Sequence, residues 1–283
     1  MRVLVTGAAG LLGTTLAPRL ARHHDVTGVD VGDFDITDLD ATVENVRSLN
    51  PDAVVHAAAW SDVDGAEASE ADAFRANALG AKNMALAANE AGARILHIST
   101  DYVFDGLAGR PYIESDAPNP QGVYGRSKWM GERFVRDVAD RWTVVRTQAL
   151  YGTAGHSFVK AILGRVRQGE PLTVVSDQTV SPTRAADLSD AIARILDEGT
   201  AGLYHVSSKG GCTWFEFARA ILDLAGAPEH PLSPLTTDEL GRPAPRPPYS
   251  VLANLHLEMS IGDTLPHWKE ALAAHLREAQ ATS

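Results

Sequence analysis

The chain has 283 residues, 45% hydrophobic and 22% charged, an ordinary globular composition with enough apolar material for a full core. Its net charge of −11 and lack of any basic block argue against nucleic acid as a partner. One cysteine, Cys212, excludes an intramolecular disulfide and fits a reducing cytoplasm, and no apolar run reaches the ~18 residues that a membrane span requires. No signal peptide, internal repeat or zinc-type Cys/His cluster is expected.

Arg2–Thr6 reads as a short buried strand, and a glycine turn follows at once. In Gly7-Ala-Ala-Gly10-Leu11-Leu12-Gly13, Gly7 permits the tight turn, Gly10 lets backbone approach a pyrophosphate, and Gly13 lets helix and strand pack closely. The helix expected from Thr14 to Leu20 would offer free N–H groups to the phosphates. The second strand, Val26–Asp30, ends in an acid roughly 20 residues after Gly7, the separation of a carboxylate that binds adenosine ribose hydroxyls. No Lys or Arg follows in Val31–Ile36, so a 2′-phosphate would meet Asp30 and Asp33 without a cation. NADH is therefore the preferred cofactor, with NADPH left open. Asp35 and Ile36 are candidates to border the adenine, and the strand that begins at Val54 runs into a loop of small residues, Ala57, Ala58 and Ala59, that leave room for the cofactor. His56 reads as a core histidine at a strand end.

Further along, helices are expected at Leu39–Leu49, Ala66–Ala91 with a break near Asn77, and Gly122–Val138. Strands are expected at Arg94–Ser99 and Thr143–Thr147. This alternation predicts a Rossmann-type, doubly wound parallel sheet. After Gly152 the rhythm loosens into Ser157–Gln168 (helix), Pro171–Val175 (strand), Ala186–Glu198 (helix) and Gly202–Ser207 (strand). Thr213-Trp-Phe-Glu216 is a capping box that opens a helix stopping at Gly226. The expected division is a dinucleotide-binding domain over 1–150 plus about 180–208, and a smaller mixed α/β C-terminal substrate domain over about 151–179 and 209–283. Gly241–Pro248 holds too many prolines for a helix or central strand. Its Arg242 and Arg246 form either a clamp for a diphosphate-like substrate tail or part of a solvated loop.

Tyr124 and Lys128 lie one helical turn apart, and Thr100 stands at a strand end upstream. A tyrosine near its ordinary pKa of ~10 is a weak acid–base catalyst at neutral pH, and an ammonium beside it would lower that value. Tyr124 would give a proton to a carbonyl oxygen as hydride reaches the carbon, with Thr100 as a second hydrogen-bond partner. Lys128 would also bind the nicotinamide ribose. Asn77 is a candidate to polarise the Lys128 region, its alternative being a plain helix break.

Ser99–Gly106 (STDYVFDG), Pro120–Lys128 (PQGVYGRSK), Asp177–Thr183, Asp35-Ile-Thr-Asp38 and Arg242–Pro247 together resemble the dTDP-4-dehydrorhamnose reductase family of the extended short-chain dehydrogenase/reductase superfamily. The likeness runs nearly the whole length. It implies reduction of a nucleotide-linked 4-keto-6-deoxy sugar, with Thr100, Tyr124 and Lys128 catalytic and Ser61, Val63, Tyr102 and Phe104 bordering the sugar. Asp101-Tyr102 replaces the Asp-Glu pair of sugar-nucleotide dehydratases, which disfavours that activity. Two departures stand out: Ala149 occupies a position where the family usually has tryptophan, and Trp60 one where it usually has histidine or tyrosine. Some members bind magnesium at a dimer interface through a first-helix glutamate. Thr15 matches that position, so no metal is expected, and monomer and homodimer both stay open.

Two other readings remain. One is a non-catalytic regulatory subunit resembling the β-subunit of methionine adenosyltransferase. The other is another sugar-nucleotide reductase or an epimerase, which would return its cofactor unchanged after each cycle.

Overall fold

The computed structural model describes residues 1–281. In chain order the first elements are β1 (Arg2–Thr6), α1 (Gly13–Leu20), β2 (Asp25–Val29), α2 (Leu39–Leu49), β3 (Ala53–His56), α3 (Val63–Ala68) and α4 (Glu70–Phe74). A π-helical turn (Arg75–Leu79) leads into α5 (Gly80–Glu90), β4 (Arg94–Thr100), a 3₁₀ turn (Asp101–Val103), α6 (Val123–Val138), β5 (Trp142–Thr147) and β6 (Leu150–Tyr151). Then come α7 (Phe158–Gln168), β7 (Leu172–Val175), β8 (Thr179–Val180), β9 (Thr183–Arg184), α8 (Ala185–Glu198), β10 (Gly202–His205), β11 (Cys212–Thr213) and α9 (Trp214–Leu224). The last are β12 (Leu232–Leu235), α10 (Thr237–Leu240), α11 (Leu255–Ile261) and α12 (Trp268–Ala281). Among the described residues, no helix is long and apolar enough to cross a membrane.

Six strands form a parallel sheet in the order β10-β5-β4-β3-β1-β2. Side chains alternate across each strand, so the two faces have separate cores. Val3, Val5, Val55 and Leu96 pack under α1 and α8. Leu4, Val54, Ile95 and Val144 pack under α2, α5 and α6. A third core gathers Tyr151, Val159, Phe217, Ile221 and Trp268 from β6, α7, α9 and α12. Chain direction through the sheet reverses between β1 and β3. In open α/β sheets the crevice at such a switch point, beyond the strands' carboxyl ends, is where ligands bind.

The expected elements recur with ends shifted by a residue or two, except for Ala66–Ala91. That stretch divides into α3, α4, the π turn and α5, and α3 begins earlier, at Val63. Ser69 breaks the first joint by leaving helical geometry, with φ −132° and ψ 51°. At the second, the Asn77 carboxamide accepts from Trp60 N at 2.8 Å and donates to Trp60 O and Ser127 Oγ. A Cβ on Gly131 would lie 2.3 Å from Asn77 O, so only glycine lets α6 approach the π turn this closely. The Thr213–Glu216 capping box is formed, with a second, Thr236–Glu239, at α10.

A polar row crosses the sheet near its carboxyl end. Arg146 on β5 makes a two-pronged bond to Glu132 on α6, at 2.8 and 2.6 Å, with both side chains 1% exposed. Ser99 on β4 donates to the same carboxylate at 2.5 Å. Removing one partner leaves the other buried charge uncompensated. Glu132→Gln is expected to lower unfolding free energy by ~3 kcal/mol or more, read as a fall in the urea midpoint. A shift of a few tenths would contradict the weight given to this pair.

Candidate active site

A cavity of about 880 Å³ opens at the switch point, lined by the loops after β1, β2, β3, β4 and β5 and by the start of α6. Gly7, Gly10, Leu11, Leu12 and Gly13 form one wall. Gly7 has φ +69°, and a Cβ on Gly13 would sit 2.1 Å from Gly7 O, so strand and helix meet only through bare backbone. Asp30 closes the end of β2, where its carboxylate accepts from Ala9 N and Val31 N at 2.9 Å each. Asp35, Ile36, Ala57, Ala58 and Ala59 line the same cavity.

The other end of the cavity is built by β4 and α6. Thr100 ends β4, and its Oγ1 accepts from Tyr102 N at 3.2 Å and donates to Asp101 at 3.1 Å. Tyr124 occupies the first turn of α6. Gly122, the residue before that helix, has no side chain to cap it, and Glu67 of α3 does so instead, accepting from Val123 N at 2.7 Å. A Cβ on Gly125 would lie 2.2 Å from Tyr102 O, which presses the helix start onto the loop after β4. Tyr102 meets Tyr124 edge to face at 5.5 Å. Lys128, 3% exposed, donates to Ile98 O at 2.6 Å.

Burial dominates the electrostatics of these groups. Burial pushes Lys128 down to about 8, against the opposing pull of the Glu132 charge. Burial pushes Tyr124 up to about 12; the Thr100 hydrogen bond opposes this and the Asp101 charge adds to it. The shift runs opposite to the expected lowering by the ammonium: loss of water is its largest cause, and the Asp101 charge acts in the same direction. Tyr124 stays protonated at neutral pH.

The remaining predicted residues divide. Ser61, Val63 and Tyr102 line the cavity. Phe104 does not: it is 1% exposed, stacked on Tyr112 at 4.1 Å, with the Arg146 guanidinium over its ring. The 3₁₀ turn Asp101–Val103 breaks strand alternation there, so Phe104 enters the core while Tyr102 faces the cavity. Asn77 supports the wall from behind, through Trp60 and Ser127. Arg242 and Arg246 both bond to Asp64, at 3.0 and 2.8 Å. The Arg246 hydrogen bond is the main reason the Asp64 carboxyl lies at about 2. Arg246 is thus an anchor within the protein, while Arg242 remains largely exposed.

Sequence reasoning missed Thr147 and Gln148 at the end of β5 and His156 at the rim, all of which line the cavity. The first two were findable from the rule that strand ends carry sites in such sheets. His156 carries no signal in its neighbours. Ala149, between them, has φ +45°, a left-handed backbone rare for a residue with a side chain. Trp60 lines the cavity and, like Tyr124, packs against the buried cluster of Ala66, Ala73 and Val123.

The family model described as RmlD substrate binding domain matches residues 1–281. A dTDP-4-dehydrorhamnose reductase of Mycobacterium tuberculosis (strain ATCC 25618 / H37Rv) is 40% identical, over 97% of this chain and 92% of its own length. The spore coat polysaccharide biosynthesis protein SpsK of Bacillus subtilis (strain 168) is 39% identical over 98% and 97%. The crystal structure of a dTDP-4-dehydrorhamnose reductase from Clostridium acetobutylicum superposes with a TM-score of 0.96 at 40% identity, covering 99% of this chain and all of that one. That of the Bacillus anthracis enzyme, in complex with NADP, gives 0.94 at 38% identity, covering 98% and 99%. Matched from end to end in sequence and in backbone, the chain belongs to the dTDP-4-dehydrorhamnose reductase family.

Proposed function

We propose that the protein is a nicotinamide-dependent oxidoreductase that reduces the 4-keto group of a nucleotide-linked 6-deoxyhexose, dTDP-4-dehydro-L-rhamnose to dTDP-L-rhamnose. The observation that carries this reading is that Thr100, Tyr124 and Lys128 line the same cavity as the glycine turn. The residues fit a dinucleotide: Gly7 and Gly13 pack so closely on the backbone of Ala58 and Ala8 that no Cβ fits, which leaves bare backbone at the cavity wall, and Asp30 presents a carboxylate at the end of β2. When bound, the reduced cofactor supplies hydride to the carbonyl carbon. Tyr124 gives its phenolic proton to the carbonyl oxygen, so C=O becomes CH–OH. A tyrosine kept protonated by burial suits that direction. Thr100 holds a second hydrogen bond at the reacting oxygen, and Lys128 orients the nicotinamide ribose and answers the charge left on Tyr124.

Asp30 and Asp33 without a neighbouring cation support NADH as the preferred reductant. Ser61, Val63 and Tyr102 border the sugar, and exposed Arg242 reaches for the diphosphate. In this reading residues 151–179 and 209–283 form the substrate-facing lobe on a dinucleotide-binding frame of 1–150 and 180–208. The reaction is placed in the cytoplasm, in keeping with the lone Cys212.

Tyr124→Phe is expected to lower kcat by about 10²- to 10⁴-fold while cofactor affinity changes by less than about twofold, followed as sugar-dependent loss of NADH absorbance. Unchanged turnover would sink the role given to Tyr124. Asp30→Ala is expected to raise the ratio of kcat/KM with NADPH to that with NADH by about tenfold, and an unmoved ratio would mean that Asp30 does not select the cofactor. Lys128 has a folded value near 8 against 10.5 unfolded. Between those values the unfolded chain binds the extra proton, so this group's contribution to stability rises with pH. Relative to Lys128→Met, the parent chain should therefore gain stability from pH 8 to 10.5 in urea titrations. A constant difference across that window would show that Lys128 is not held below its usual range.

A further inference from the structure

On the dinucleotide reading above, we infer that Thr147 and Gln148 anchor the carboxamide of the nicotinamide ring: the Gln148 amide donates to the carboxamide oxygen, and the Thr147 hydroxyl accepts from its nitrogen.

The lining of the cavity follows the strand order of the sheet. Asp30 follows β2, the glycine turn follows β1, Ala57, Ala58 and Ala59 follow β3, Thr100 ends β4 and Thr147 ends β5. A dinucleotide with its adenosine at Asp30 and its pyrophosphate at the glycine turn therefore brings its nicotinamide end to β4 and β5. Thr147 is the register partner of Thr100, on the side away from the glycine turn. A ring placed to hand hydride to a carbon whose oxygen meets Thr100 thus lies beside Thr147.

The chemistry of the lining matches that ring. Leu11, Ala57, Ile98 and Leu150 line the cavity and pack on the core under α1 and α8. Such a floor suits a flat, mostly apolar ring, and it does not suit a hexose with hydroxyls around its rim. The ring carries one polar substituent, a carboxamide, which asks for one donor and one acceptor. Thr147 and Gln148 line the same cavity and are 7% and 2% exposed. The Gln148 side-chain oxygen accepts from Ser181 N at 3.0 Å. A backbone N–H can meet only the oxygen of that amide, so the NH₂ group is the end left over. Ser181 is itself fixed, with its hydroxyl donating to Gly210 O at 2.6 Å. Gln148 Nε2 and Thr147 Oγ1 are both buried without a hydrogen-bond partner among the described residues. Buried polar atoms left unpaired are costly, and a ligand that brings one acceptor and one donor satisfies both. Held at its carboxamide, the ring cannot turn over about its glycosidic bond, so a single face meets the keto carbon.

The test is calorimetric binding to the full chain of three ligands: NADH, its acetylpyridine analogue, whose methyl ketone keeps the oxygen and lacks the amide nitrogen, and ADP-ribose, which lacks the ring. Gln148→Leu should weaken NADH and the analogue about tenfold each and ADP-ribose by less than about twofold. Thr147→Val, which is isosteric and removes no hydrogen bond within the protein, should weaken NADH about tenfold and leave the analogue within about twofold, because the analogue has no N–H to give. Unchanged affinity for NADH in both variants, or an equal loss for ADP-ribose, would overturn the inference and leave the dinucleotide reading intact. A Gln148→Leu chain that binds NADH as before but shows a raised KM for the keto sugar would give the pair to the sugar and overturn it as well. A parent chain that binds neither NADH nor NADPH would remove the dinucleotide reading, and this inference with it.

Discussion

The ion pair between Glu132 and Arg146 is the fixed point of this molecule. It lies between the sheet and the helix that covers it, and its two charges are shielded from water by everything around them. One turn before Glu132 on the same helix is Lys128, and one turn before that is Tyr124. Ser99, which donates to the same carboxylate, precedes Thr100. The three residues proposed to handle the proton are thus set by a single electrostatic joint that ties α6 to β4 and β5. Such a joint contributes less to net stability than apolar packing would, because both charges must first lose their water. What it supplies is registry: a helix held by a two-pronged guanidinium bond does not slide or rotate on its sheet.

Around that joint the helix start is held by contacts from distant parts of the chain. Glu67 caps it, Gly125 lets it sit on the loop after β4, and Gly131 lets it sit on the π turn. None of these is an apolar contact of the usual kind. The first is a hydrogen bond from backbone to side chain, and the two glycine contacts are close backbone approaches, which tolerate almost no change in volume. The burial they enforce also explains the charge state of the site. Lys128 is buried and Tyr124 half-buried, and this loss of water holds one as a neutral phenol and makes the other a weaker base than it would be in solution.

Much of this was legible in the sequence, for identifiable reasons. The glycine turn, the acid ending β2 and the Tyr-x-x-x-Lys pair are local patterns, and local patterns survive being read without a structure. Strand and helix ends followed from apolar periodicity and from caps such as Thr213. The failures were all non-local. Phe104 sits only two residues beyond Tyr102, yet one faces the cavity and the other the core, and only the path of the chain decides which. For Arg246 the sequence leaves a ligand clamp and a solvated loop both open, and only the fold shows Asp64, far away in sequence, beside it. The pKa of Tyr124 moved opposite to expectation because proximity in sequence showed the ammonium but not the loss of solvent. Ser250 donates to Asp101 across 149 residues, a bond that no spacing rule could have found.

The π turn at Arg75–Leu79 acts as a phase shifter. A helix advances about 100° per residue, so one extra residue in a turn rotates everything beyond it by about that angle. Downstream, Met84, Ala85 and Ala88 face the core beneath α2 and α6. Upstream, Ala73 faces a different cluster, with Ala66 and Val123, next to Tyr124. A regular helix could not satisfy both faces at once. The wide turn is what allows one continuous stretch of chain to serve as a wall of the cavity at one end and as a flank of the sheet at the other.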